Sequence, residues 1–272
     1  MEYQIKPKNK FTLGLKELWE FRELLYFFTW RDVKVKYKQT VFGVLWAILQ
    51  PLVMMVVFTT LLGKSISKST DLPVPYSIFA LSGLLVWGIF SNGVTNSANS
   101  MVNNANIIKK IYFPRLIIPI SAIMGACFDF VMALIIFFIF VIVFQVELNI
   151  LAILYIPFAL IFAALASTSV GLTLAALNVK YRDIRYVIPF LIQALLFLTP
   201  VFYPISITSN YWMQLLLKLN PIAGAIEIFR GSFSNYPVDW NTVGLSGISC
   251  IVFLILGVYI FRKTEAYFAD LA

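Results

Sequence analysis

Gln39 to Gly63 is a run of 25 residues without one charged side chain, and it constrains the fold more than any other feature. As a helix it would reach about 37 Å, and a hydrocarbon core asks for roughly 20 residues. Comparable stretches recur at about 76–98, 116–145, 150–177, 186–203 and 242–261. Backbone groups in lipid must find partners within their own segment, so such stretches are read as helices. The expected fold class is all-α, a polytopic membrane protein with six transmembrane helices. Composition agrees: 60% of the chain is hydrophobic and 12% charged, whereas a soluble domain carries about 25% charged residues.

Orientation follows from where the cations fall. Of the 21 Lys and Arg residues, 17 lie in 1–40, 97–117, 178–186 and 262–272, and only Lys64, Lys68, Lys218 and Arg230 lie in the other connections. The positive-inside rule then puts both termini in the cytoplasm, which an even number of spans also requires. The first forty residues are dense in charge before any apolar run, which does not support a cleaved signal peptide. One membrane domain over 1–272 is expected, with an interface segment at 1–38, a six-helix region at 39–262 and a tail at 263–272.

The segments between spans have their own signatures. Residues 13–30, LGLKELWEFRELLYFFTW, gather Lys16, Glu17, Glu20 and Glu23 on one side of a helical wheel and Leu15, Leu18, Trp19, Leu25, Tyr26 and Phe28 on the other. An amphipathic helix on the membrane surface is expected, the alternative being a soluble helix packed on a partner. The far half of the second span is rich in asparagine, from Asn92 to Asn106. It must line a cavity, meet another helix or leave the core. Between Pro204 and Trp240 the apolar patches are broken by Pro, Gly and Asn, a pattern that suits re-entrant outer helices between spans five and six.

Few side chains here can do chemistry. There is no histidine, and Cys127 and Cys250 sit alone inside apolar runs, so neither a metal site nor a disulfide framework is expected. FTTLLGKS at 58–65 ends like a phosphate-binding loop but has Phe58 where the loop needs Gly. Asp129 is the only charged side chain in the middle of a span. It is either a functional acid or a structural clamp to a neighbouring helix. Ala159, Ala163, Ser167, Gly171 and Ala175 form a stripe of small residues, expected as a packing seam more than a lumen wall. Glu227 and Arg230, three apart, are expected to pair locally.

Two features point toward a ligand. If the helix of 13–30 continues, Arg31, Lys34 and Lys38 share a face, and Trp30, Val33 and Tyr37 lie on another. Those cations either anchor the chain against lipid phosphate or dock an anionic headgroup. Aromatic residues make up 16% of the chain. The boundary positions Trp30, Tyr37, Phe42, Trp46, Phe202 and Tyr203 are candidates to meet a sugar face with a ring. Ordinary interface-belt roles are the alternative for each.

The strings KYKQTVFGVLWAILQPL, NIIKKIYFPRLIIP, LNVKYRDIRYVIPFL with TPVFYP, NPIAGAIEIFRGSF and RKTEAYFAD occur in that order over nearly the whole chain. Together they resemble the membrane subunit of ABC-2 type polysaccharide exporters, the group that exports O-antigen, capsule and teichoic acid. Phe42, where that family often has Leu, is a mild apolar departure. The resemblance implies a homodimer in the bacterial inner membrane, seated on two copies of a separate ATP-binding subunit. ATP and Mg would belong to that partner, this chain would bind no cofactor, and no nucleic acid would be involved. It implies export of a glycan linked to undecaprenyl diphosphate, with a portal at Arg31, Lys34 and Lys38. Asn106 to Arg115 would be a coupling helix, with Ile107, Ile108, Lys109, Lys110, Ile111, Tyr112 and Phe113 taking up the ATPase movement. An ABC-2 exporter of drugs or lipids and an ion-coupled carrier using Asp129 are the rival readings.

Overall fold

The computed structural model describes residues 15–38, 40, 42–70 and 72–265, with side chains from residue 18 onward. The start of the amphipathic segment at 13–14, the side chains of 15–17 and the tail residues 266–272 lie outside the described residues. Among the described residues every regular element is a helix, and the only strand-like pairing is an isolated bridge between Leu148 and Phe233.

The membrane part is built on α3 (Leu45–Ser69), α4 (Tyr76–Asn103), α6 (Ile117–Val143), α7 (Ala152–Lys180) and α11 (Trp240–Thr264). These five helices are long and apolar enough to cross a membrane. The short helix α5 (Ala105–Ile108) lies in the connection between α4 and α6. In front of α3 come α1 (Leu15–Glu20) and α2 (Arg22–Lys38), separated at Phe21. The helix expected over 13–30 is therefore broken once and then continues to Lys38.

The fifth expected span is shorter than the hydropathy suggested. Helix α8 (Ile184–Phe197) has 14 residues, about 21 Å of rise against a core of about 30 Å. Pro200 lacks the N–H that would continue the helix, and it biases Thr199 away from helical backbone. The chain runs on through turns and a short 3-10 helix (Ile205–Ile207) into α9 (Tyr211–Lys218) and α10 (Ala223–Arg230). All eight residues of α10 are buried, and so are Thr199, Val201 and Phe202. The irregular backbone at Thr199, Val201, Phe202 and Ser232 is covered by protein, whereas 206–207 and 209–210 are exposed.

Helix α4 is the centre of the bundle: 78% of its most apolar window is buried, against 6% for α3. Its large side chains, such as Phe79, Ile89 and Phe90, find room because α7 offers Ala159, Ala163, Ser167, Gly171 and Ala175, all buried. A Cβ on Gly171 would come within 2.8 Å of Ser97 Oγ. The stripe of small residues is the packing seam the sequence suggested.

The chain has two distinguishable ends. Arg31 in α2 bonds Asn104 beyond α4, Asn178 in α7 bonds the Ala98 carbonyl, and Arg115 bonds the Glu265 carbonyl after α11. These contacts define a near end. At the far end, Asn149 N–H donates to the Ser232 carbonyl at 2.8 Å, and Tyr76 OH donates to the Phe202 carbonyl at 3.0 Å. Helix α8 starts beside the near end, just after Lys180, and its following turn returns to the far end against Gly83.

Helix α11 begins with an N-cap. Asp239 accepts from the N–H groups of Asn241 and Thr242 and from Lys218 Nζ at 2.8 Å. Burial works against its charge, but the Lys218 and Thr242 hydrogen bonds outweigh it and hold this carboxyl below its ordinary pKa. The sign is that of a depressed acid. Its stabilisation is complete above the usual carboxylate range and disappears as pH falls through the lowered value. Asp239→Ala is expected to cost about 1 kcal/mol, as for other N-cap removals. Thermal denaturation in detergent at neutral pH checks it, and the gap between wild type and variant should close at strongly acidic pH.

Candidate functional site

The C-terminal half of α2 climbs along α6. Phe28 packs on Phe113 with ring centroids 5.7 Å apart, and Val33 lies 4.0 Å from where a Gly125 Cβ would sit. Lys36, three residues past buried Val33, shares that inward face. Lys36 Nζ and Tyr37 OH both donate to the carboxylate of Asp129. Asp129 is twelve residues into α6, so the cluster sits about 18 Å from the near end of that helix. Helix α2 thus carries a lysine about halfway along α6, where Asp129 pairs with it.

The opposite side of the same segment stays open. Leu18, Leu24 and Leu25 pack onto protein with Phe28, whereas Trp19 and Tyr26 are 72% and 70% exposed, and Phe27 and Trp30 are exposed as well. The wheel's apolar face therefore splits into a protein-facing aliphatic half and an uncovered aromatic half. Rings of this kind at a surface favour the membrane–water boundary.

Between α2, α4 and α6 runs a groove of about 770 Å³ that opens at the near end. Its α4 wall is Asn92, Asn96, Ser100 and Asn103, spaced by three and four residues so that they share one helical face. Each amide presents donors and an acceptor without charge, which suits a polyhydroxy chain. Arg31 stands at the mouth, held by Asp32 at 2.6 Å and Asn104 at 2.8 Å, with its guanidinium 4.8 Å from the Phe28 ring centre.

At Lys36, Asn92 and Asp129 this groove meets a second cavity of about 330 Å³ between α3, α4, α6 and α8. Its walls are more apolar: Trp46, Met54, Trp87 and Phe130 line it beside the amides of Gln50 and Asn92. Helix α3 begins beside this junction. It is preceded by a turn in which Gly43 has φ of 50°, left-handed backbone that glycine adopts without strain.

The far end is closed by a second polar cluster. Glu227 accepts from Tyr236 OH at 3.1 Å and from the Asp239 N–H at 3.0 Å. Arg230 donates to the Val201 carbonyl at 2.8 Å and lies 3.6 Å over the Phe79 ring. The pair expected to bond locally does not: no ion pair joins Glu227 to Arg230. Each instead ties α10 to a different segment, because burial leaves their own helix without enough polar partners.

The sequence-derived candidates scatter over these features. Lys34 and Lys38 are exposed on α2 and do not line the groove that Arg31 and Lys36 line. Tyr37 reaches Asp129, and Trp46 lines the upper cavity with Phe42 edge-on to it at 5.5 Å. Phe202 is buried and stacked on Phe58 at 3.5 Å, so it serves the core and not a cavity wall. Tyr203 turns its OH to the Phe197 carbonyl at 2.6 Å.

The expected coupling helix from Asn106 to Arg115 is one turn, α5, followed by turns. Pro114 forbids helix across it. Ile111 and Tyr112 are 61% and 81% exposed there, and Ile108 and Phe113 are buried beneath them. The sequence missed Lys36 as the partner of Asp129. Its only signal was that a lone intramembrane acid needs a donor. Among the described residues, no group of three His, Cys, Asp or Glu side chains could hold a metal ion.

Two relatives match almost end to end. The O-antigen export system permease protein RfbA of Klebsiella pneumoniae is 28% identical over 97% of this chain and 98% of its own length. The protein of the same name from Myxococcus xanthus is 26% identical over 94% and 98%. The polysialic acid transport protein KpsM of Escherichia coli is 22% identical over 86% and 91%. The family model described as ABC-2 type transporter matches residues 23–234, which include all but the first residue of α2, the groove and α10. With that match over most of its length, this multi-pass helical chain belongs to the ABC-2 type transporter membrane family.

Proposed function

We propose that this chain is the permease subunit of an ATP-driven polysaccharide exporter. The observation that carries the reading is the end-to-end similarity to permeases named for O-antigen export. The substrate is a glycan on undecaprenyl diphosphate, moved from the cytoplasmic to the outer face of the inner membrane. The near end is cytoplasmic, and both termini lie there. Helix α8 with residues 198–203 completes a sixth crossing, and the pieces from Ile205 to Arg230 form a re-entrant outer gate.

A homodimer gives the exposed face of α3 a partner and turns each protomer's open groove into half of a channel. Amides at the cytoplasmic end and tryptophans above them offer hydrogen bonds and ring faces to successive sugars. Hydrolysis takes place on a separate ATP-binding subunit that holds ATP and Mg. Ile107 to Phe113, with Ile111 and Tyr112 exposed, is the surface that subunit pushes. An ion-coupled carrier is disfavoured, because Asp129 is already bonded by Lys36 and Tyr37.

The test uses the complex of this chain with its ATP-binding partner, reconstituted in lipid. Arg31, Lys34 and Lys38 are all changed to Gln. Stimulation of ATP hydrolysis by undecaprenyl-diphosphate-linked glycan is expected to fall about tenfold, chiefly through Arg31 at the groove mouth, since Lys34 and Lys38 do not line the groove. Insertion and dimer assembly should be unchanged. Failed assembly with normal stimulation per assembled complex would make these cations an anchor only.

A further inference from the structure

We propose that Lys36 is a counter-ion exchange site at the junction of the two cavities. A phosphate ester or diphosphate entering the groove takes the Lys36 ammonium from Asp129, and Asp129 takes it back once the anion has passed. This rests on the reading of the groove as the substrate path.

Four observations converge on that residue. Lys36 is the one cation, among the described residues, that lines both cavities, since Arg31 reaches only the lower. Its side chain is 45% exposed, so the ammonium can turn toward the groove without moving α2. An ammonium has three donors, so a phosphate oxygen can be engaged before the carboxylate is fully released. Asp129 keeps a second donor in Tyr37, so the carboxylate is not stranded when Lys36 leaves.

The walls around the pair explain why exchange should be transient. Below it the α4 wall is uncharged amides, which do not hold an anion strongly. Above it Trp46, Trp87 and Phe130 give the anion no cation. An uncovered Asp129 would repel a phosphate lodged beside it. The site therefore binds weakly enough to let go, as a transport intermediate must.

The experiment measures thermal protection of the purified complex by inorganic pyrophosphate, by undecaprenyl diphosphate and by phosphatidylglycerol vesicles. Any contribution of the ATP-binding partner is common to all variants. Removing the competing carboxylate with Asp129→Asn is expected to lower the half-protecting concentration about tenfold, and Lys36→Gln to raise it about tenfold. Tyr37→Phe makes Asp129 depend more on Lys36 and should weaken protection. Opposite shifts for the two partners distinguish exchange from a clamp, since a clamp predicts that both variants lose stability with the same ligand response.

An unchanged response in Lys36→Gln, or weakening in Asp129→Asn equal to that in Lys36→Gln, overturns the proposal. Should Asp129→Asn fail to assemble, Tyr37→Phe decides: weaker protection supports exchange and unchanged protection sinks it. Protection through Lys36 by phosphatidylglycerol alone assigns the anion to membrane lipid. Protection by undecaprenyl diphosphate and pyrophosphate assigns it to the cargo headgroup. If the Lys36 pattern holds while lipid-linked glycan never stimulates ATP hydrolysis, the exchange site stands and the polysaccharide reading fails.

Discussion

Glu227→Ala is expected to destabilise the assembled protein by about 3–5 kcal/mol, the range for removing one member of a buried charged cluster. Arg230 is 1% exposed with its Nε unpartnered, so losing the nearby Glu227 charge leaves a buried cation less compensated. The substitution also orphans the Asp239 N–H and the Tyr236 OH, which both donate to Glu227. The outer closure depends on this cluster because α10 is held to residues 201, 236 and 239 through it. Glu227→Gln keeps an acceptor of the same shape and should retain part of the stability. Monodispersity after detergent extraction and the thermal midpoint of the extracted protein provide the measurement. Normal stability of Glu227→Ala would show that the cluster is dispensable.

Gly83→Val should prevent assembly, and Gly83→Ala should cost about 1–3 kcal/mol, the scale of overpacking in a filled interior. A Cβ on Gly83 would stand 2.6 Å from the Val201 carbonyl oxygen, 3.1 Å from Val201 Cα and 3.0 Å from Arg230 Nη2. Two of these atoms are backbone and cannot swing aside. Displacing Val201 would also break the bond Arg230 makes to its carbonyl. Gly88, five residues on in the same helix, is the internal control: a Cβ there meets nothing within 4 Å. Gly88→Ala is expected to be neutral or stabilising by up to about 1 kcal/mol, since alanine favours helix over glycine. Equal behaviour of Gly83→Ala and Gly88→Ala, read as thermal midpoints, would refute the close approach.

The two predictions share a cause. The chain from Leu198 to Trp240 has no long helix of its own, so its buried backbone must be closed by contacts from elsewhere. Gly83 makes room for Val201, and Arg230 then bonds its carbonyl. Glu227 secures the other flank through Tyr236 and Asp239. Fine packing and polar satisfaction therefore act at one place, and their loss should propagate through that whole end.

Hydropathy alone was sufficient to find α3, α4, α6, α7 and α11, with ends displaced by a few residues. Those segments are dictated by the need to bond their own backbone in lipid, a local property. The small-residue stripe on α7 was equally legible, because one helix's periodicity already implies a narrow face. The length of α8 was not, since an apolar run looks the same whether a proline ends the helix at Phe197 or the helix continues. The roles of Phe202 and Arg230 were hidden for a related reason. A buried aromatic and an exposed one have the same sequence, and Arg230 finds its carbonyl 29 residues away.

The lysine-rich stretch separates the two kinds of information most clearly. By itself the sequence determined a helical membrane protein, its biased ends and a lone acid in the third span, because chain length, charge and backbone solvation act locally. Only the tertiary structure decided that Lys36, 93 residues away from Asp129, is the side chain that neutralises it. That choice depends on how far α2 climbs α6 and which of its faces turns inward. Both are set by the packing of Phe28 and Val33 against a helix whose position no stretch of α2 encodes.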